Sequence, residues 1–210
     1  MKLKKSVKRK LIIALILIVI VVVGVVVVIN LPKKENEKVE EVKVVNEVEK
    51  YGYQLKETKS KKYKKMFEEL KDILSEETLD EQKYVSKITE MFIYDFYTLD
   101  DKSAKTDVGG VDFVYKDALS NFLVNAQDTY YKYVESDIYN NRNQQLPIVD
   151  QVTVEAIAQQ PYAYGTLNDD KAYVVKASWT YTKEQFATYQ NQAQLVFIHD
   201  GVKLSLVELK

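Results

Sequence analysis

The stretch 171-KAYVVKASWTYT-182 carries the strongest strand pattern in this sequence, and the prediction of the fold starts from it. Successive side chains of a β-strand point to opposite faces, so an alternation of large and polar residues predicts a strand with one buried face. Trp179 lies on that predicted inner face and is a candidate pocket residue. The residues that share the face are Tyr173, Val175, Ala177, Trp179 and Tyr181.

The segments on either side complete an antiparallel meander around this strand. Residues 151–158, QVTVEAIA, alternate in the same way, and residues 161–170 carry a proline, a glycine and an Asn-Asp-Asp run typical of turns. Residues 194–209 predict a hairpin, since two apolar runs flank Asp200-Gly201, which suits a type I′ turn. We therefore expect about four strands after Pro147.

The chain before these strands shows helical spacing instead. Residues 60–74 place apolar side chains at intervals of three and four residues, beginning at Tyr63. The run Thr-Leu-Asp-Glu then predicts a capping box, in which Thr78 and Glu81 cap the start of a second helix. The apolar face of this second helix comprises Val85, Ile88, Phe92, Phe96 and Leu99.

A third helix is predicted within residues 114–134. Its apolar face comprises Val114, Ala118, Phe122, Ala126, Tyr130 and Tyr133. Helices followed by a meander of strands predict an α+β fold, with about three helices packed on one face of a curved antiparallel sheet of about four strands.

The first thirty residues predict a membrane anchor. Residues 11–29 contain no polar side chain, and 19 helical residues would rise roughly 28 Å, close to the thickness of a bilayer's hydrocarbon core. A buried core helix of that length without a charge is the disfavoured alternative. No small-x-small cleavage site follows, so an uncleaved signal anchor is favoured over a signal peptide.

The charges around this span predict its orientation. Residues 1–10 hold six Lys or Arg and no acidic residue, which predicts a cytoplasmic tail. Residues 11–30 would then contact the lipid bilayer as a single-pass transmembrane helix of the cell membrane. Residues 31–57 are predicted to form a charged stalk, because residues 33–50 hold 11 charged side chains. Residues 58–210 are the predicted extracytoplasmic domain.

This outer part of the chain is acidic, although the net charge of the whole chain is −1. Residues 51–210 hold 19 basic and 25 acidic residues. Phosphate contacts need a basic surface, so we expect no nucleic-acid partner. The sequence has no cysteine, which excludes disulfides, thiolate metal sites and cysteine catalysis.

One acidic, glycine-containing loop is a candidate for chemistry or for a simple joint. Residues 99–112, LDDKSAKTDVGGVD, match neither a calcium-binding loop nor a phosphate-binding loop. The favoured interpretation is structural: Gly109-Gly110 permits a tight reversal with positive φ, and Asp107 or Asp112 caps the next helix. A partner-binding loop is the alternative, and it makes both aspartates candidate interaction residues.

Asp95, in the aromatic run 92-FIYDFY-97, borders the buried face of the second helix. A carboxylate held against aromatic rings would have a raised pKa and could act as a base. The favoured alternative is an aspartate at the edge of the core that pairs with a lysine or water, because one carboxylate does not make a catalytic constellation. Tyr94 and Tyr131 are expected to point away from the core, and are therefore candidate interface residues.

The remaining polar residues suggest no cofactor or metal. His199 is the only histidine and is expected to be exposed at the end of the hairpin. Without a second histidine or a cysteine, neither a catalytic triad nor a zinc site is available. Arg142 is expected to be an ordinary loop residue. We therefore expect a protein that is not an enzyme.

Three helices followed by four antiparallel strands, over residues 60–210, are similar to the cone-shaped nuclear transport factor 2-like superfamily. A basic tail, one span, a stalk and such a domain resemble the bitopic assembly factors of type IV secretion and conjugation machines, in their Gram-positive form. This resemblance implies a non-catalytic interaction or scaffold protein of the cell envelope, whose partners are other envelope proteins or a second copy of the chain.

The same superfamily also implies a second function class. Its enzymes, such as ketosteroid isomerases, use an aspartate and a tyrosine inside the cavity of the cone. The alternative is therefore a membrane-tethered small-ligand-binding or cavity enzyme domain. That alternative requires a sizeable apolar pocket that contains Asp95 or a tyrosine.

Overall fold

In the computed structural model of the chain, residues 43–210 are described, and they form two antiparallel sheets and three α-helices. The elements in chain order are β1 (Val44–Val48), β2 (Tyr53–Lys56), α1 (Lys61–Ser75), α2 (Glu81–Tyr97), α3 (Lys116–Asp128), β3 (Val149–Tyr164), β4 (Leu167–Tyr181), β5 (Gln192–Asp200) and β6 (Lys203–Leu209). The α+β fold, with helices before the main sheet, is confirmed.

The predicted tail, membrane span and first part of the stalk lie in residues 1–42, outside the described residues. Among the helices of residues 43–210, none combines the length and the apolar character needed to span a bilayer.

The main sheet has the strand order β3-β4-β5-β6, so each strand pairs with its neighbour in sequence. Gly201 closes the predicted hairpin of β5 and β6 with a φ of 66°. The predicted turn region 161–170 is wrong except for its tip, because β3 and β4 stay paired as far as Tyr164 and Leu167. Pro161 fits within β3 because this strand lies at the sheet edge and changes register between Gln160 and Tyr162.

The predicted inner face of β4 is confirmed. Tyr173, Val175, Ala177 and Trp179 are all buried, and Tyr181, at the end of the strand, is half-buried. The ring of Trp179 packs 4.2 Å from that of Tyr97, centroid to centroid, and so joins the sheet to the end of α2.

Helix α2 is the centre of the core, with α1 on one side and β3 and β4 on the other. Its predicted face is buried, and every residue from Met91 to Tyr97 is buried as well. A helix that is buried all round carries apolar residues on every face, which is why its sequence shows only a weak amphipathic pattern.

The predicted capping box at the start of α2 is wrong. Asp80 is the N-cap residue, and its Oδ1 accepts hydrogen bonds from the N–H groups of Gln82 (3.0 Å) and Lys83 (3.1 Å). Thr78 lies two residues before this position. The first turn of the helix therefore takes its cap from the nearer carboxylate.

The predicted stalk ends earlier in the chain than residue 57. Residues 44–56 form the β1–β2 pair, and Tyr51, Tyr53 and Leu55 are buried in the core. The Tyr53 hydroxyl lies 2.7 Å from the Tyr84 hydroxyl of α2. The charged residues that indicated a stalk are concentrated before residue 51, so they gave no information about the short strand β2 that follows them.

Helix α3 is shorter than its apolar spacing predicts. It ends at Asp128, so the helical spacing no longer applies to the tyrosines that follow. Tyr133 is 75% exposed, and its predicted place on the buried face is wrong. Ala118 and Ala126 are buried as predicted, and Phe122 packs partly buried against the core.

Candidate functional site

The structure places Asp95 in a buried ionic cluster. Its Oδ1 lies 2.5 Å from Lys59 Nζ and 3.1 Å from Lys102 Nζ, and its Oδ2 accepts a hydrogen bond from the Gly110 N–H at 2.8 Å. Lys102 also pairs with Asp101 at 2.5 Å. Both oxygens of Asp95 therefore have partners, as the lysine-paired interpretation requires.

The surroundings of Asp95 disfavour a role as a base. Burial alone would raise the pKa of its carboxyl, but the ammonium groups of Lys102 and Lys59, together with the Gly110 N–H, lower that pKa to about 2. A carboxyl with so low a pKa is a weak proton acceptor at neutral pH. Asp95 therefore lacks the raised pKa that a cavity base would need.

This lowered pKa predicts a specific loss of stability in acid. The folded pKa is below the ordinary value of 3.8, so the contribution of Asp95 is complete above about pH 4 and is lost as the pH falls towards 2. A shift of this size corresponds to about 2 kcal/mol. We expect the difference in unfolding free energy between the wild type and Asp95→Asn to shrink by that amount between pH 7 and pH 2, measured by urea unfolding. A difference that stays constant with pH would contradict the cluster.

The loop of residues 99–112 is a joint held to α2 at both glycines. Gly110 has a φ of 74°, as predicted, and its N–H binds Asp95. The Gly109 N–H donates to the Tyr131 hydroxyl at 3.0 Å, and that hydroxyl donates to the Phe96 carbonyl at 2.6 Å. Tyr131 has no exposed surface, so its predicted outward orientation is wrong.

Replacing Tyr131 with phenylalanine should destabilise the fold by about 2 kcal/mol, because it leaves the buried Gly109 N–H and Phe96 carbonyl without this partner. The same substitution at the exposed Tyr133 should change stability by less than about 0.5 kcal/mol. Chemical unfolding of the two variants measures the difference. Equal effects would mean that the Tyr131 hydroxyl is not needed in the joint.

Tyr94 is also buried, with 6% of its surface exposed, so its predicted outward orientation is wrong as well. It packs against Tyr63 of α1, with ring centroids 6.5 Å apart, and its hydroxyl lies 3.1 Å from Ser60 Oγ. Helix α1 covers the side of α2 that helical spacing alone left open to solvent.

Neither candidate aspartate caps α3, so that prediction is wrong. Asp107 instead closes a turn, since its Oδ2 accepts from the Ser103 N–H at 2.9 Å. Asp112 lies in a short 3-10 turn, Val111–Phe113, and its carbonyl accepts from Lys203 Nζ at 2.7 Å. The N-cap of α3 is Tyr115, which makes no side-chain capping bond.

Arg142 is a structural residue that its polar neighbours in sequence did not indicate. Its guanidinium donates to the carbonyls of Lys102 (2.7 Å), Asp100 (2.7 Å) and Glu135 (3.2 Å). A guanidinium can reach several carbonyls at once, so one side chain joins two loops. We expect Arg142→Lys to destabilise the protein by about 1–2 kcal/mol, measured by urea unfolding, because an ammonium group cannot reproduce that fork.

His199 lies at the hairpin end as predicted, but it is half-buried in a polar cluster. Its Nδ1 lies 2.8 Å from Asp169 Oδ2, and its Nε2 lies 3.5 Å from Glu81 Oε2. Tyr173 donates its hydroxyl to the same Glu81 oxygen at 2.8 Å. The cluster joins the start of α2 to β4 and β5. Among residues 43–210, no group of three or more acidic, histidine or cysteine side chains is arranged to hold a metal.

A cavity of about 480 Å³ lies between α3 and β6, and it does not include Asp95. This volume is within the range of small-molecule and cofactor pockets. One wall is a single face of α3 together with its C-cap residue: Ala118, Asn121, Phe122, Asn125, Ala126 and Thr129. The other wall is the consecutive run from Leu206 to Lys210.

One part of the cavity lining is aromatic, and its tyrosine hydroxyls are hydrogen-bonded. The rings of Tyr97 and Tyr130 lie 4.8 Å apart in an edge-to-face arrangement. Gln190 fixes both, because its Oε1 accepts from the Tyr130 hydroxyl at 3.0 Å and its Nε2 donates to the Tyr97 hydroxyl at 3.2 Å. Burial raises the pKa of both tyrosines, so both hydroxyls stay protonated at neutral pH.

The lining has little charge. Its charged side chains are Glu208 and Lys210, which pair with each other at 2.9 Å. Trp179, the candidate pocket residue, is buried behind Tyr97 and does not line the cavity. Asn121, Asn125 and Gln190 were not among the residues predicted from the sequence. The signal for the first two was a pair of amides four residues apart beside the apolar face of α3.

No protein-family model matches this chain. A search of curated proteins gives no significant match. A search of solved structures gives no significant match either.

Proposed function

We propose that this chain is a membrane-anchored, non-catalytic interaction protein of a bacterial cell envelope, with a nuclear transport factor 2-like domain outside the membrane. The proposed setting is a multiprotein assembly such as a conjugation or secretion channel. The proposed partners are other envelope proteins or a second copy of the chain. The domain binds them through the cavity between α3 and β6.

The observation that carries this proposal is the aromatic lining of the cavity, whose two charged side chains pair with each other. Tyr97 and Tyr130 are held in place by Gln190, and the two charged side chains neutralise each other. Such a surface presents rings and hydrogen-bonding groups to a ligand, but no poised acid, base or nucleophile. Aromatic surface with few net charges is typical of the centre of a protein interface.

The sequence pattern of the first 42 residues supports the membrane setting. An uncharged run of 19 residues after six basic residues favours a single span with a cytoplasmic N-terminus. Residues 43–210 would then stand on the outer side of the membrane, where they could reach other envelope proteins.

A small-ligand-binding domain of the same fold is the second candidate, and the cavity itself favours it. The cavity has a volume of about 480 Å³, and three tyrosines line it: Tyr97, Tyr130 and Tyr164. A ligand-binding domain requires a pocket of this size that contains a tyrosine. A cavity enzyme is the less well supported version of this second candidate, because Asp95 lies in the ionic cluster rather than in the cavity.

Crosslinking of the tagged full-length protein in native membranes, followed by mass spectrometry, tests the proposal. We expect a defined set of envelope proteins to be enriched with the wild type. The double variant N121K/N125K places two charges in the cavity at exposed positions of α3 and should remove that set. The matched control is Val124→Lys, since Val124 is 56% exposed on the same helix and does not line the cavity.

The two candidates give different results. Loss of the enriched set in N121K/N125K, with retention in Val124→Lys, supports an interaction protein. A wild-type protein that is recovered alone with a retained small molecule would contradict the proposal and favour the second candidate.

A further inference from the structure

The cavity wall formed by β6 is the edge of the main sheet, because β6 is the last strand in the order β3-β4-β5-β6. Five consecutive residues of β6 and its end line the cavity, whereas a strand face would contribute only alternate residues. The cavity is therefore a groove between a strand edge and a helix. Grooves of this kind accept extended peptides that add to the sheet as a further strand.

The backbone of Leu209 points into this groove. Lys210 and Gln194 exchange both of their backbone hydrogen bonds, at 2.9 and 2.8 Å. Antiparallel pairs alternate between bonded and non-bonded, so the next pair, Leu209 and Leu195, exchanges none. The N–H and C=O of Leu209 thus face away from β5, towards the open edge of the sheet.

The chain already uses this edge once. Val114 pairs with Leu206 in parallel, and the Tyr115 N–H donates to the Leu206 carbonyl at 2.8 Å. The chain then turns away into α3 at Lys116. The pairing of Val114 and Tyr115 with β6 therefore ends at Lys116. The groove along Val207–Lys210 follows the same edge of β6 beyond that point. A second segment in the same line would extend an existing pairing rather than create a new one.

The opposite wall supplies hydrogen-bonding groups for the other side of such a segment. Asn121 and Asn125 lie four residues apart on α3, both are exposed, and both line the groove. Neither side chain has a hydrogen-bond partner among the described residues. An extended peptide presents N–H and C=O groups to both sides, which matches a strand edge on one wall and amides on the other.

The charge of the groove selects the kind of segment. Glu208 and Lys210 neutralise each other, so the lining presents no charge for a charged side chain to pair with. Burying an unpaired charge against Phe96 and Phe122 would be unfavourable. An uncharged segment with apolar side chains fits best.

We propose that the groove between α3 and β6 binds a short, uncharged, extended segment of a partner protein, which pairs with the N–H and C=O of Leu209 as an added strand. This inference rests on the proposed function and specifies how the partner is held. The groove along Val207–Lys210 admits about four residues, at roughly 3.3 Å per residue.

The variant Leu209→Pro tests the backbone contact. Proline removes the outward N–H of Leu209, and an edge strand tolerates proline where the N–H faces away from its neighbour. Leu209→Ala is the matched control, since it removes the side chain but keeps the N–H. Thermal unfolding shows that each variant is folded before binding is measured.

The probe is a display library of random seven-residue peptides, selected on the full-length protein in detergent. We expect the enriched peptides to be poor in charged residues. Synthetic copies should bind Leu209→Pro at least about 10-fold more weakly than Leu209→Ala, which has lost the same side chain but keeps the N–H. Methylation of the backbone nitrogen at one position of the peptide should cause a loss similar to that caused by Leu209→Pro.

Three outcomes would overturn the inference. Enriched peptides that bind the wild type and Leu209→Pro equally would exclude strand addition. A dimer of the full-length protein that depends on the Leu209 N–H would make a second copy the occupant. The third outcome is that no peptide is enriched and that Leu209→Pro keeps the membrane crosslinks of the wild type. That result would overturn the inference and leave the proposed function intact.

Discussion

Replacing Asp95 with alanine is expected to lower the free energy of unfolding by about 3–5 kcal/mol. The carboxylate neutralises Lys102, whose side chain is 3% exposed, and accepts from the buried Gly110 N–H. Its removal leaves an ammonium group with only Asp101 for compensation. Urea unfolding followed by the fluorescence of Trp179, the only tryptophan, measures this loss.

Two controls separate the buried cluster from a general effect of charge. The first control is Asp100→Asn. Asp100 is exposed and lies next to Asp101 of the cluster in sequence, so its substitution should change stability by less than about 0.5 kcal/mol. The double variant D95N/K102M removes both the carboxylate and the buried ammonium group, and should be more stable than D95N alone. If the double variant were the less stable of the two, the two groups would not be acting as a pair.

Gly109→Ala is expected to destabilise the protein by about 3 kcal/mol. A Cβ at this position would overlap the Asp95 carbonyl oxygen and lie 2.6 Å from its carbon. These are backbone atoms in the last turn of the central helix, so they cannot move aside as the end of a flexible side chain could. The loop would have to separate from α2, with the loss of the hydrogen bond from Gly109 to Tyr131.

Gly201→Ala provides the comparison. A Cβ at this position would have no atom within 4 Å, so the substitution costs only the strain of an alanine at a φ of 66°. That cost is about 1 kcal/mol. Urea unfolding of both variants should therefore rank Gly109→Ala as clearly the more damaging. The opposite ranking would show that the loop of residues 99–112 can leave α2 without penalty.

The sequence predicted the elements whose signal is local. Three local signals were sufficient to predict the α+β fold: the alternation in β4, the Asp200-Gly201 turn and the order of helices before strands. Each depends on residues close together in the chain. Local signals were misleading where an element ended unexpectedly. The spacing that placed Tyr133 in the core assumed that α3 continues beyond Asp128, where it ends.

The candidate site was less predictable, because its parts are distant in sequence. The lysine-paired interpretation of Asp95 is confirmed, but Lys59 lies 36 residues away, and no local pattern identifies it as the partner. Likewise, about 80 positions separate the two walls of the groove, on α3 and β6. The amides of Asn121 and Asn125 line a groove only because β6 lies opposite them.

The alternation in β4, the Asp200-Gly201 turn and the division into an apolar run, a charged segment and a region of helices and strands follow from neighbouring residues, so they could be predicted from the sequence. Only the tertiary structure decided that Tyr131 is buried, that β2 belongs to the core and that the edge of β6 faces α3. The physical reason is that burial, ion pairing and an open strand edge depend on which elements pack together.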